Sequence, residues 1–272
     1  MIQRRGLGKT GIDISVISLG TVKFGRNQGV KYPQNFHLPS DHEINVLLQH
    51  AQQLGINMLD TAPAYGTSEE RLGQWLKKSG NRSEWIITTK FGENFINGVS
   101  HFDFSKSAAI QSINESLQRL KTDYIDLVLV HSNGEDVDII HQHGVFDTFL
   151  ELKKSGKIRA FGMSTKTVEG GLLTVAQADV VMVTYNPIET KEQPVIASAH
   201  RLNKGVLIKK ALASGHIDKL SQEENPVEKS IQFILKEPGV SSIVIGTLNC
   251  KHLAEAVDYA RNGYYKKITP KD

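Results

Sequence analysis

The sequence predicts a closed α/β barrel of the (β/α)8 TIM-barrel class, and three observations carry that expectation. Short apolar runs alternate with amphipathic stretches along the chain, the runs number eight, and no linker or low-complexity segment divides the 272 residues. Eight strands alternating with eight helices fit a closed barrel better than an open doubly wound sheet, although counting strands does not exclude the latter. A single domain over residues 1–272 is expected, long enough to bury roughly 70–75% of its unfolded surface.

Residues 2–5 and 12–15 flank Gly6-Leu7-Gly8-Lys9-Thr10-Gly11 and read as an N-terminal β-hairpin outside the barrel, closing its bottom. That turn spells G-x-G-x-x-G, yet a dinucleotide fingerprint needs a strand before it and a helix after it. Here only five residues precede it and the β-prone residues 12–16 follow, so it reads as a turn. The barrel strands are expected at residues 16–19, 57–60, 85–89, 125–130, 158–163, 180–184, 205–209 and 242–245. Ser40-Asp41-His42-Glu43 and Thr67-Ser68-Glu69-Glu70 each read as a capping box, with Gly55 and Gly80 stopping the helices that follow. Further helices are expected near 105–121, 145–155, 167–177, 190–203, 226–236 and 250–261. The Gly- and Asn-containing segment 92–103 is expected to be a mobile lid.

The charged fraction of 22% and hydrophobic fraction of 39% are ordinary for a globular protein. The net charge of +3 comes from basic residues spread along the chain, so nucleic acid is not implied. Cys250 is the single cysteine, which excludes an internal disulfide and a cysteine-based zinc site. Residues 1–6 lack an apolar leader core and no run approaches 18 apolar residues, so a cytoplasmic protein without membrane contact is expected, acting on small molecules as a monomer or weak oligomer.

The informative polar residues fall at strand ends. Asp60, Lys90 and His131 close the second, third and fourth strands, and Tyr65 follows Asp60 in the next loop. In a barrel these four converge on the C-terminal rim, where such folds build their sites. Each alone has a bland alternative in turn capping, solvation or packing; their joint placement favours chemistry. Carbonyl reduction needs a hydride donor and a proton donor, and a phenol of pKa about 10 is a weak acid near neutrality. Lys90 beside Tyr65 is expected to lower that pKa, with Asp60 holding the ammonium and His131 meeting the substrate oxygen as it gains charge. His131, Asp136, Asp138, His141 and His143 cluster in sequence, but at no recognised ligand spacing, so no metal site is expected. A lyase or isomerase using Lys90 as a Schiff-base amine is a further, less favoured class.

These residues stand in segments that closely resemble the aldo-keto reductase family, over residues 4–258. Leu59-Asp60-Thr61-Ala62-Pro63-Ala64-Tyr65-Gly66-Thr67-Ser68-Glu69 resembles its first signature, and Ser116-Leu117-Gln118-Arg119-Leu120-Lys121-Thr122-Asp123-Tyr124-Ile125-Asp126-Leu127 a second. Leu7-Gly8-Lys9-Thr10-Gly11 and Ile17-Ser18-Leu19-Gly20-Thr21 resemble its hairpin and first strand. The resemblance implies reduction of aldehydes or ketones with NADPH, or with NADH, and puts Asp60, Tyr65, Lys90 and His131 in the family's catalytic tetrad. It implies cofactor contacts from Gly20, Thr21, Asp60 and Ser164, from Lys210 and Leu212, and from Gly246, Thr247, Asn249, His252 and Glu255. A helix N-terminus after Thr247 would favour an anion.

Several positions depart from the family pattern. Thr165 stands for an asparagine, Met182 for a glutamine and Lys209 for an aromatic that stacks on the nicotinamide. His252 and Ala256 replace an arginine and an asparagine at the adenosine end, while Glu255 is retained. Thr165, Met182 and Lys209 are still expected at the cofactor. Their substitution also motivates a second function class, a cofactor-binding regulatory or sensing protein with little turnover.

Overall fold

The computed structural model describes residues 2–217 and 224–268. Among these, eight parallel strands close into a barrel: Ile17–Gly20, Met58–Asp60, Ile86–Phe91, Ile125–His131, Ile158–Ser164, Val180–Thr184, Gly205–Lys209 and Ser242–Ile245, the last pairing back to the first. Helices pack around the outside, so the expected fold stands. Several strand ends shift by one or two residues from the sequence reading; among them, Lys90 lies inside the third strand and His131 inside the fourth, each extended by its ladder, Lys90 opposite Leu129 and His131 opposite Ser164.

Strand alternation sorts the residues. Leu59, Ile87, Val128, Phe161, Val181 and Ile208 face the helices in the larger apolar core. Met58, Leu127, Leu129, Ala160, Val180, Met182 and Leu207 point into the barrel, forming a second cluster. The hairpin Arg4–Gly6 with Asp13–Ser15 sends Leu7, Ile12 and Ile14 into this inner cluster from below, as expected of a plug. Gly205 makes room for it: a Cβ there would lie 2.6 Å from Leu7 Cδ1. The G-x-G-x-x-G segment is thus the turn of a structural hairpin.

The Ser40 capping box is present in full, with Ser40 Oγ accepting from the Glu43 N–H and Glu43 Oε2 accepting from the Ser40 N–H at 2.7 Å. The one expected at Thr67 is not. The helix Ser68–Ser79 begins without a side-chain cap from Thr67. Ser68 is instead drawn inward, donating to the Thr21 carbonyl and accepting from the Thr61 hydroxyl, so the helix start is tied to the barrel. Asp136–His143 forms a helix that periodicity did not reveal. The expected lid is a β-hairpin, Glu93–Ile96 against Val99–Phe102, turning at Asn97 and Gly98, both in left-handed conformations. No described helix is long and apolar enough to cross a membrane.

Candidate active site

The period-two alternation that points Met58, Leu127, Leu129 and Leu207 inward carries on to Asp60, His131 and Lys209, two residues further along or at the next inward position. The C-terminal mouth of the barrel is therefore lined by polar groups above an apolar plug. It opens into a cavity of about 910 Å³, at the upper end of the ~300–1,000 Å³ usual for ligand and cofactor sites. Asp60, Tyr65, Lys90 and His131 all line it.

At its floor, the Lys90 ammonium donates to both oxygens of Asp60 at 2.8 Å and to the Thr61 carbonyl at 2.9 Å. Both partners are buried, Lys90 only 2% exposed. Burial works against the charged lysine, but Asp60 and Tyr65 outweigh it and hold its pKa above the ordinary value. With its three N–H groups committed and its charge stabilised, Lys90 is unsuited to act as a Schiff-base amine. Its Nζ lies 4.7 Å from the centre of the Tyr65 ring.

Tyr65 closes a 3-10 turn, Pro63–Tyr65, that rests on the short helix Val22–Gly25. Two glycines permit this approach. A Cβ on Gly25 would sit 2.4 Å from the Tyr65 carbonyl, and one on Gly66 2.2 Å from the Gly25 carbonyl. Lys90 was expected to bring the phenol's pKa down. Burial exceeds that pull, Asp60 and Glu93 add to it, and the hydroxyl is held above its ordinary pKa, which keeps its proton in place at neutrality.

The His131 ring faces Tyr65 edge-on, centroids 6.3 Å apart. Its Nδ1 lies 2.8 Å from Glu93 Oε2, ion-pair distance though off the line of a well-directed hydrogen bond. Burial lowers the His131 pKa below 6.5, Glu93 opposes that, and the charges of Lys90 and Lys209 reinforce it. Glu93 also accepts from Ser100 Oγ at 2.6 Å and from Arg26 at 3.1 Å. Burial disfavours its charge, yet His131, Ser100 and Arg26 together bring its pKa down to about 2. Arg26 stacks on Phe95 and donates to the Ala64 carbonyl, joining this hairpin to the Tyr65 turn. Sequence reasoning missed Glu93 and Arg26; the Asn97-Gly98 pair between β-prone residues was the available sign of the hairpin that carries Glu93.

Ser164, Met182 and Lys209 line the cavity next to the tetrad, with Gly20 and Thr21 on the first strand's side. Lys210, Leu212, Gly246, Thr247, His252 and Glu255 line it as well. Thr165 and Asn249 stand outside this lining. Thr165 is wholly buried, with its carbonyl accepting from Lys209, and Asn249 Oδ1 accepts from the Lys251 N–H at the start of the helix Cys250–Ile268. Tyr32, unmarked in the sequence, also enters the cavity. Its hydroxyl abuts Gly246, where a Cβ would sit 2.9 Å away, and Lys23 lies over its ring at 4.1 Å. Among the described residues no group of three His, Cys, Asp or Glu is placed to hold a metal. Asp136, from the acidic and histidine cluster, instead accepts from Ser132 and from the N–H groups of Lys166 and Thr167.

The signature segments meet in space: Glu69 of the first accepts from Arg119 of the second at 2.7 Å and from Thr89 on the third strand. The barrel, the converging Asp60, Tyr65, Lys90 and His131, and the cavity above them together form one candidate active site at the C-terminal mouth. The pattern of the Aldo/keto reductase family matches residues 16–230, and the chain belongs to that family. It is 27% identical to the uncharacterized oxidoreductase YqkF of Bacillus subtilis over 95% of this chain and 91% of that protein. To the aldo-keto reductase YhdN of the same organism it is 32% identical over 73% of this chain and 58% of that protein. A crystal structure of a Pseudomonas aeruginosa protein assigned to the aldo-keto reductases superposes with a TM-score of 0.87 at 46% identity, covering 96% of this chain and 95% of that one.

Proposed function

We propose that this chain reduces aldehydes or ketones to alcohols with Tyr65 as the proton donor and NADPH, or alternatively NADH, as the hydride source, working in the cytoplasm as a monomer or weak oligomer. The observation that carries the reading is the buried Asp60–Lys90 pair beneath Tyr65, on the floor of a cavity that His131 also lines.

The cavity fits a dinucleotide: it runs from the tetrad to the start of the helix Cys250–Ile268, and Lys23 and Lys210 place positive charge along it. Ser164 and Met182 would hold its nicotinamide end, Met182 by polarizable contact, and Gly246, Thr247, His252 and Glu255 its other end. When bound, the cofactor supplies the hydride. Tyr65, neutral at physiological pH, gives its proton to the oxygen that gains charge, and the fixed Lys90 ammonium stabilises the phenolate left behind. Asp60 keeps that ammonium in place. His131 adds a second donor to the same oxygen when its ring carries both protons, Nδ1 being taken by Glu93.

Titration with NADPH and NADH by protein fluorescence, followed by oxidation of the bound cofactor across a panel of aldehydes and ketones, tests this. Saturable binding and carbonyl-dependent oxidation are expected. Binding without oxidation across the panel would replace this reading with the sensing class, and no binding of either cofactor would overturn both.

A further inference from the structure

The cavity wall holds a second lysine whose surroundings are the opposite of Lys90's. Lys209, at the end of its strand, donates to Ser164 Oγ at 2.9 Å and to the Thr165 carbonyl at 2.5 Å. Neither acceptor carries a charge. Among the described residues these two bonds leave one tetrahedral position of Nζ uncommitted on a side chain that lines the cavity, and once a proton is lost the lone pair can take that position. Burial favours that form. Lys210 and Lys166 also oppose a proton on Lys209, while Glu192 and Asp136 favour one. Of the acids that favour the proton, Glu192 is itself occupied by the Thr184 N–H and Thr165 hydroxyl, and Asp136 by backbone N–H groups. Burial is the largest influence, and the amine's pKa falls to about 8.

We propose that Lys209 is a carbonyl-trapping residue, whose Nζ condenses with an aldehyde in the cavity to form an imine; this rests on the reading that the cavity takes carbonyl compounds. The nitrogen lone pair makes the new bond to the carbonyl carbon, the two amine protons leave with the carbonyl oxygen as water, and no oxidant or reductant is consumed. The trap selects aldehydes, which are less crowded and more electrophilic than ketones, and withholds them from Tyr65 until the imine hydrolyses.

The test incubates the full-length protein with pyridoxal 5′-phosphate, and separately with uncharged propanal, then fixes any imine with cyanoborohydride and maps it by peptide mass. Lys209 is expected to be modified ahead of the surface lysines with either aldehyde, Lys90 to stay unmodified, and the initial rate to rise with a midpoint near pH 8. The Lys209→Met protein, checked for its fold by circular dichroism, should lose that first label. Modification spread over surface lysines with Lys209 untouched in the wild type would overturn the proposal. Carbonyl-dependent NADPH oxidation measured in parallel separates the two readings. Turnover without a label on Lys209 refutes the trap alone, whereas a label without turnover supports the trap and refutes the reductase reading.

Discussion

Glu93 governs how His131 can act. A carboxylate whose pKa is about 2 is ionised throughout the working range and can only accept, so it draws the Nδ1 proton and leaves Nε2 to donate only when the ring is doubly protonated. Replacing Glu93 by Gln removes the charge that raises the His131 pKa, and that pKa should fall further below 6.5. The alkaline limb of the kcat/KM profile for carbonyl reduction, where the His131 ring loses its second proton, is expected to move to lower pH in Glu93→Gln, with activity at pH 7 reduced; an unmoved profile would exclude this role. The same variant tests the linkage. Because the folded pKa lies below the ordinary 4.5, the stabilisation is fully present above pH 4.5 and is lost as pH falls through about 2. The melting temperatures of wild type and variant should therefore converge toward pH 2.

At the scale of elements, the site depends on two backbone segments packed closer than side chains allow. The helix Val22–Gly25 and the turn Pro63–Tyr65 meet through Gly25 and Gly66. Gly25→Ala puts a methyl where the Tyr65 carbonyl and the Ser68 N–H now lie, each 2.4 Å away. Overpacking of this kind costs about 1–3 kcal/mol. Thermal unfolding should reveal that loss, with kcat lowered at least tenfold because Tyr65 is displaced, and cofactor affinity changed less. This tightness explains what was legible in the sequence. The Ser40 capping box could be read because both its halves lie within one turn of helix. The Thr67 box could not, because Ser68 is claimed by Thr21, 47 residues away in sequence. The pairing of the hairpin 93–102 is not legible locally, because glycine and asparagine mark a tight turn and a loose loop alike.

For the whole molecule, the barrel was legible because eight apolar runs recur at regular intervals, and strand alternation then aims Asp60, Lys90 and His131 at one mouth. Tyr65 was legible through its signature segment. What crosses between distant loops was not: Tyr32 against Gly246, Arg26 on Phe95, and Lys209 on Ser164 have no local pattern, since each is set by how the closed barrel brings its rims together. The central claim is that this assembled mouth uses Tyr65 to protonate a reduced carbonyl. The most direct measurement is NADPH oxidation with a good carbonyl substrate by wild type and Tyr65→Phe, with cofactor binding of both proteins followed by fluorescence. The result expected is unchanged cofactor binding with turnover lowered by about 10²–10⁴; a Tyr65→Phe protein as fast as wild type would contradict it.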